Sequence, residues 1–244
     1  MRNRPRYVSR SELTGRGFRL ARRLYRQLPL AVKQSAIFAG LKKKILESSL
    51  VPHDFMYNDE FYDVIMDGAS CSAPVIADSI LSELHPTSII DVGCGGGALL
   101  EALRDGGCTA IGLEYARAAI ARCKYRGLDV KQFDLERDTL DFDYRFDVAV
   151  SLEVAEHLPQ SLADRYVDLL AALSDTVVFS AARPGQGGIA HFNEQQPEYW
   201  IAKFTVRGYV CDCSLSDIWR TRWHESGKVA DWYCSNVLIF RRSA

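Results

Sequence analysis

A chain of 244 residues, 48% hydrophobic and 25% charged, is long enough for one α/β domain with a full core and too short for two independent ones. Its formal net charge of −1 conceals an asymmetry: residues 1–50 carry thirteen Lys or Arg against only Glu12 and Glu47, so the basic charge gathers at one end and the remainder is acidic. Seven cysteines form no C-x-x-C pair and no zinc-like spacing, and their odd number argues against a closed disulfide framework, which points to a reducing, cytoplasmic compartment. No apolar run approaches the ~20 residues that span a bilayer, and the first residues lack the apolar stretch of a signal peptide. The expectation is a soluble or membrane-peripheral protein.

Residues 1–16 are Arg-rich and show no sustained apolar period, the pattern of a segment without fixed structure. From Phe18 the apolar residues Phe18, Ala21, Tyr25 and Leu28 fall along one side of a helix. Beyond Pro29, Ile37, Leu41 and Ile45 recur at four-residue spacing, and Lys42, Lys43 and Lys44 lie near the helix end where cations suit the dipole. The chain thus divides into a basic helical extension (1–50) and a domain (51–244). The extension has three readings: peripheral contact with an anionic membrane or with nucleic acid, a solvated arm packed on the domain, or an organelle transit peptide. Residues 53–69 are rich in aromatics, and Tyr57, Phe61 and Tyr62 are candidates either for a site wall or for the core. Ser72 to Leu84 then predicts a helix, with Ser72 as cap and Pro74 in its first turn.

The stretch from Ile89 to Leu100 changes from an apolar run to a glycine-rich turn and then to a new apolar period: strand, loop, helix. Glycines at 93, 95 and 97 let backbone approach a ligand closely, and the helix that follows presents unpaired N–H groups. The spacing is not G-x-G-x-x-G, and no G-x-x-x-x-G-K-[ST] occurs, which disfavours a nicotinamide cofactor or ATP. A helix from Ala98 to Arg104 closes at Gly106-Gly107. Thr109 to Glu114 predicts a second buried strand ending in a carboxylate, the position from which nucleoside-binding α/β folds hold ribose hydroxyls. A helix over 116–125, a strand over 128–134, an exposed acidic segment over 136–144 and a strand over 146–152 follow. The fifth strand, 176–182, leads into a glycine-rich loop too long for a tight connection, Pro184 to Trp200, and such loops are usually functional. A helix over 197–204 and strands over 209–213 and 236–240 complete the pattern. Cys211 and Cys213 share a strand face, as a metal pair or as core. Trp219, Trp223, Trp232 and Tyr233 form either an aromatic wall beside a cavity or ordinary helix–sheet packing.

Asp91-Val-Gly-Cys-Gly-Gly-Gly resembles motif I of the class I S-adenosylmethionine-dependent methyltransferases, close to the branch of the ubiquinone-pathway O-methyltransferases. The resemblance continues through Glu114, Asp134 and Ser151 to Pro159, and covers roughly residues 57–240. It implies a Rossmann-like fold: a seven-stranded, mostly parallel sheet with helices on both faces, an antiparallel finish, and S-adenosylmethionine at the carboxyl ends of strands one to four. It also implies that Asp91, Gly93, Cys94, Gly95, Gly97, Glu114, Tyr115, Asp134, Leu135 and Leu152 bind the cofactor, with Glu114 on the ribose and Asp134 and Leu135 at the adenine. By the same resemblance the aromatic stretch before the first strand is a lid, and the loop after strand five contacts the acceptor, making His191, Asn193, Glu194 and Gln195 acceptor-side candidates.

Glu153, Glu156 and His157 follow strand four as E-x-x-E-H, and offsets of three and four residues place them on one helical face. Three roles are open. The group can simply order the loop beside the cofactor. With His191 it resembles the metal-dependent methyltransferases that act on one of two vicinal hydroxyls, in which case Glu153, Glu156, His157 and His191 hold a divalent cation such as Mg²⁺. Alternatively, His157 or His191 acts alone as general base, with Glu153 completing the catalytic set. Leu-Glu-Val-Ala stands where an Asp/Asn-Pro-Pro-Tyr/Phe motif would mark the amino-methylating branch. The expected function is O-methylation of a small-molecule hydroxyl, on a sugar or glycan precursor, a quinone or a natural-product intermediate. The rivals are a metal-dependent RNA 2′-O-methyltransferase and a non-catalytic, cofactor-binding regulatory protein.

Overall fold

A computed structural model describes residues 59–139, 144–188 and 190–243, and of residues 59–67 the backbone alone. The basic extension, Tyr57, the side chains of Phe61 and Tyr62, and residues 140–143 of the acidic segment lie outside the described residues. The elements run α1 (Asp59–Leu84), β1 (Ser88–Val92), α2 (Ala98–Asp105), β2 (Thr109–Glu114), α3 (Arg117–Tyr125), β3 (Asp129–Gln132), β4 (Val148–Leu152), α4 (Ala163–Leu173), β5 (Thr176–Ser180), α5 (Pro197–Thr205), β6 (Tyr209–Cys211), α6 (Cys213–Ser226), α7 (Asp231–Asn236) and β7 (Leu238–Arg242).

The seven strands form one sheet in the order β3-β2-β1-β4-β5-β7-β6, parallel except for β7, which is antiparallel to both β5 and β6. The central strands β1, β4 and β5 are buried on both faces, and period-2 alternation sends neighbouring side chains to opposite layers. Ile90, Ala149, Val177, Phe179 and Phe240 face α4 and α5, where Tyr166, Leu170, Trp200 and Phe204 cover them. Ile89, Val148, Val150, Val178 and Ile239 face the other way, against Ile76 and Ile80 of α1, Leu103 of α2 and Trp219 and Trp223 of α6. Register fixes the strand tips: Ile90 pairs with Ile111 and Ala149, so β1, β2 and β4 end together at one edge.

The helix read over 72–84 is the second half of α1, which runs back unbroken to Asp59. Ser72 therefore does not cap a helix. Its hydroxyl donates to Gly68 O at 2.6 Å, four residues back, and accepts from Ala230 N at 3.0 Å. Pro74 stands inside the helix and withholds the N–H that would reach the carbonyl of Ser70. What holds the helix through this region is tertiary packing. Gly68 admits the ring of Trp232, 3.3 Å from where a Cβ would stand. Further along, Ser79 Oγ accepts from Trp223 Nε1 at 2.9 Å and Glu83 from Trp219 Nε1 at 2.9 Å.

Trp219 and Trp223 are thus helix–sheet packing and not a cavity wall, their rings 5.4 Å apart and fully buried. Cys211 lies in β6 while Cys213 opens α6, so the two do not share a strand face. Trp223→Ala should cost about 3–5 kcal/mol, because it empties a fully buried volume and removes the indole donor from Ser79 Oγ, which keeps only its bond to Val75 O, as urea unfolding would measure.

Candidate active site

The glycine-rich turn after β1 is built around contacts that tolerate no side chain. Gly93 and Gly97 have φ of 80° and 81°, and a Cβ on Gly97 would overlap Leu128 and Cys123. Gly93 N and Cys94 N both donate to Leu113 O, which folds the turn back onto β2. Cys94 packs its Sγ onto Gly112, where a Cβ would collide with it. Glu114, at the tip of β2, is buried and holds the turn: Oε2 accepts from Gly95 N and Oε1 from Ala116 N, each at 2.8 Å. The carboxylate has four acceptor positions in all, a capacity that exceeds these two bonds.

Asp91 is buried one strand away, at 4% exposure. Burial first, then the charge of Glu114, pushes its carboxyl up to about 7. Glu114 is itself raised by burial, in opposition to the backbone N–H groups of Ala116, Gly95 and Tyr115. β3 stops at Gln132, so Asp134 stands beyond the strand tip, where Oδ1 accepts from Glu136 N at 2.9 Å and orders the turn. Leu135 packs on the α4 side of the core and Leu152 on the α1 side.

The E-x-x-E-H segment is not α-helical, and its carboxylates do not share a helical face. Glu153 has φ of 56°, with its N–H turned onto Ser180 O and Oγ at 3.1 and 3.0 Å, and only Ala155–His157 make a single 3₁₀ turn. That turn drives Glu156 inward to 0% exposure. Phe192 N and Asn193 N donate to Glu156 O at 2.7 and 3.0 Å, which fastens the loop after β5 to the turn after β4. His157 and His191 meet as a result, ring centroids 4.9 Å apart and nearly perpendicular. Ligating atoms of Glu156, His157 and His191 lie within 4.8 Å of one another.

Both imidazoles are oriented from behind. Nδ1 of His157 is 3.1 Å from Ala190 O, and Nδ1 of His191 is 3.0 Å from Glu194 Oε1. Carbonyl and carboxylate oxygens only accept, so both Nδ1 atoms carry protons and the lone pair of a neutral ring falls on Nε2. Glu194 also accepts from Gly185 N at 2.9 Å and Gly187 N at 2.8 Å. Although burial opposes it, these bonds and His191 hold the Glu194 carboxyl below its ordinary value. A Cβ on Gly188 would fall within the His191 ring, so the third glycine of this loop is a packing requirement.

Neither carboxylate oxygen of Glu156 receives a well-formed hydrogen bond among the described residues. Burial first, then the charge of Glu153, holds its pKa well above the ordinary value, and the backbone N–H groups of Glu156 and Ala182 offset only part of this. Glu153, grouped with these residues in the sequence reading, lies outside the three-residue cluster. Its oxygens take amide donors instead, Asn236 Nδ2 at 3.0 Å and Gln186 Nε2 at 2.8 Å. Tyr233, on the same short helix as Asn236, has its hydroxyl raised by burial and then by Glu153, Asp91 and Glu156. Tyr233 belongs to the aromatic group read from the sequence as a cavity wall or as packing, whereas nothing in the sequence marks Gln186, Gly188 or Asn236 as site residues, and no motif spacing links them to Glu153.

The fold recurs in solved structures that hold a bound cofactor. A magnesium protoporphyrin IX methyltransferase from Synechocystis PCC 6803 with bound S-adenosylhomocysteine matches with a TM-score of 0.52 at 15% identity, over 96% of this chain and 98% of that one. The chain has the Rossmann-like fold of the class I S-adenosylmethionine-dependent methyltransferases. An amino pentose methyltransferase from Micromonospora echinaspora with bound S-adenosylmethionine matches with a TM-score of 0.57 at 17% identity, over 75% of this chain and 96% of that one. Residues 77–169 match the family model described as "Methionine biosynthesis protein MetW". A ubiquinone biosynthesis O-methyltransferase from Pseudomonas paraeruginosa is 33% identical over 78 residues, 30% of this chain and 34% of that protein. The chain therefore matches about a third of the length of such curated relatives. Among the described residues no helix is long and apolar enough to cross a membrane.

Asp91 gives the site a pH signature. With its native pKa near 7 and the unfolded value near 3.8, the folded chain keeps a proton that the unfolded chain releases. Stability therefore falls as pH rises through that window, by up to about 1.4 kcal/mol per pH unit. Asp91→Asn in the ligand-free protein should be more stable than the parent at pH 8, with the advantage shrinking toward pH 4. Thermal melts across that range would show it, and a pH-independent difference would contradict the assignment.

Proposed function

We propose that the chain binds S-adenosylmethionine against the turn at Gly93, Cys94, Gly95 and Gly97, and transfers the methyl group to a hydroxyl of a small-molecule acceptor at the Glu156–His157–His191 cluster. The observation that carries this is the Glu194–His191 pair. An imidazole whose Nδ1 is held by a carboxylate presents Nε2 as a base, and the carboxylate stabilises the imidazolium that forms. The acceptor oxygen attacks the methyl carbon, the carbon–sulfur bond breaks with its electron pair going to sulfur, and the hydroxyl proton passes to His191 or His157. The rest of catalysis is positioning. Glu114 takes the ribose hydroxyls and Asp134 with Leu135 borders the adenine, Asp91, Tyr115 and Leu152 completing the cofactor's surroundings. Asn193, Glu194 and Gln195 stand on the acceptor side. The O-methyltransferase relative supports a hydroxyl acceptor, and the sugar-modifying neighbour supports a polyhydroxylated one.

A second reading is favoured by Glu156, whose buried oxygens receive no well-formed hydrogen bond among the described residues. Burial of a carboxylate without partners is costly unless a cation or proton joins it. The relatives and neighbours bring no support for a divalent cation, so this reading rests on the chain's own residues. One carboxylate and two imidazoles suit Mn²⁺ or Zn²⁺ better than the Mg²⁺ suggested by the sequence. A cation held by Glu156, His157 and His191 would lower the pKa of an acceptor hydroxyl.

Titration calorimetry with S-adenosylmethionine is the direct test of the cofactor assignment. Glu114→Ala should weaken binding about tenfold or more through loss of charge-assisted hydrogen bonds and of the Gly95 anchor, and an unchanged dissociation constant would remove Glu114 from the site. With radiolabelled methyl donor and a panel of catechols and polyhydroxylated sugars, His191→Ala should lower turnover about a hundredfold or more while leaving cofactor affinity intact. Full turnover in that variant would reject the base.

A further inference from the structure

The residue that decides what Glu153 can do is Asn236, at the end of α7. Its amide is 3% exposed, and Nδ2 donates both to Glu153 Oε1 at 3.0 Å and to Gln186 Oε1 at 2.8 Å. Gln186 Nε2 in turn donates to the second oxygen of Glu153 at 2.8 Å. The three side chains form a closed ring in which each carboxylate oxygen is taken by one amide. The orientation of Asn236 is fixed by chemistry, since a carboxylate can only accept and Nδ2 must therefore face it. The consequence is an orphan: Asn236 Oδ1 is buried with no donor among the described residues. An apolar residue of the same volume would avoid that penalty, so a packing role alone does not account for an asparagine here.

The geometry points to Asn236 and Gln186 as positioning residues that withhold Glu153 from the Glu156–His157–His191 cluster, leaving the coordination of a divalent cation there to three protein groups and the acceptor's oxygens. This rests on the cation reading above. Glu153 is close enough to raise the pKa of Glu156, yet it lies outside the set of mutually adjacent ligating atoms. Its backbone is held by Ser180 in a left-handed conformation, so the side chain alone is available to swing. Two amides from distant parts of the chain prevent that swing. A fourth protein ligand would occupy a position that a vicinal diol or catechol needs, so the clamp sets acceptor access without touching the cation.

The test is Mn²⁺ binding to the full chain, read as loss of the free ion's paramagnetic resonance signal. Gln186→Ala removes one donor from an exposed loop and leaves the core intact. Asn236→Leu removes the other without opening a cavity. Each variant should bind Mn²⁺ about five- to tenfold more tightly than the parent, because the freed carboxylate adds a charged ligand. Both gains should vanish when Glu153→Gln is added, whereas S-adenosylmethionine affinity, as the measure of an intact fold, should stay within about twofold throughout. Unchanged or weaker Mn²⁺ binding in the folded variants, or a gain that survives Glu153→Gln, would overturn the clamp. A parent chain that binds no Mn²⁺ would overturn the cation reading itself, and the clamp with it.

Discussion

The organising constraint of this molecule is the crowding of acids at one edge of a parallel sheet. Register brings the ends of β1, β2 and β4 together, and each delivers a carboxylate: Asp91 near the end of β1, Glu114 at the tip of β2, Glu153 and then Glu156 after β4. Three of the four are buried. Water cannot screen them there, so the fold must supply donors or cations. Glu114 is answered by backbone N–H groups and Glu153 by two side-chain amides, while burial pushes the carboxyls of Asp91 and Glu156 up, toward the neutral form. An edge of this kind favours positively charged ligands.

The second constraint is connectivity. The catalytic candidates come from two loops, after β4 and after β5, and neither loop is ordered by itself. The carbonyl of Glu156 receives the backbone of Phe192 and Asn193, and Glu194 gathers Gly185, Gly187 and His191. The two imidazoles meet because the main chain between them is knitted, and their own attraction is secondary. Gly188 belongs to the same construction, since only the absence of a Cβ lets the His191 ring lie where it does.

Most of the fold was legible from residue types because buried parallel strands read as short apolar runs bounded by glycine. Thr109–Glu114 matches its expected bounds at both ends, and the glycine turn and the antiparallel finish stand as read. The first helix was cut short because Gly68, Ser72 and Pro74 all signal a break locally, and what overrides them is Trp232 and Ala230 from the far end of the chain. The E-x-x-E-H spacing suggested a helical face, but the left-handed Glu153 separates its carboxylate from the other three side chains. Helical periodicity cannot reveal a backbone conformation imposed by Ser180 on the neighbouring strand. Asn236 and Gln186 were invisible for a plainer reason: they lie 83 and 33 residues from Glu153.

The placement of β7 has a consequence for how the chain is made. It is the last described strand in sequence, yet it lies inside the sheet, between β5 and β6. Until it arrives, β5 has an unpaired edge and the large aromatic layer of Phe179, Phe204 and Phe240 lacks one of its members. A nascent chain leaving the ribosome therefore exposes a sticky, hydrophobic strand edge throughout the synthesis of α5, β6, α6 and α7. The acid-lined edge completes late as well, because Asn236 lies two residues before the start of β7. Chaperone demand during translation and the assembly of a working site are thus governed by the same final strand.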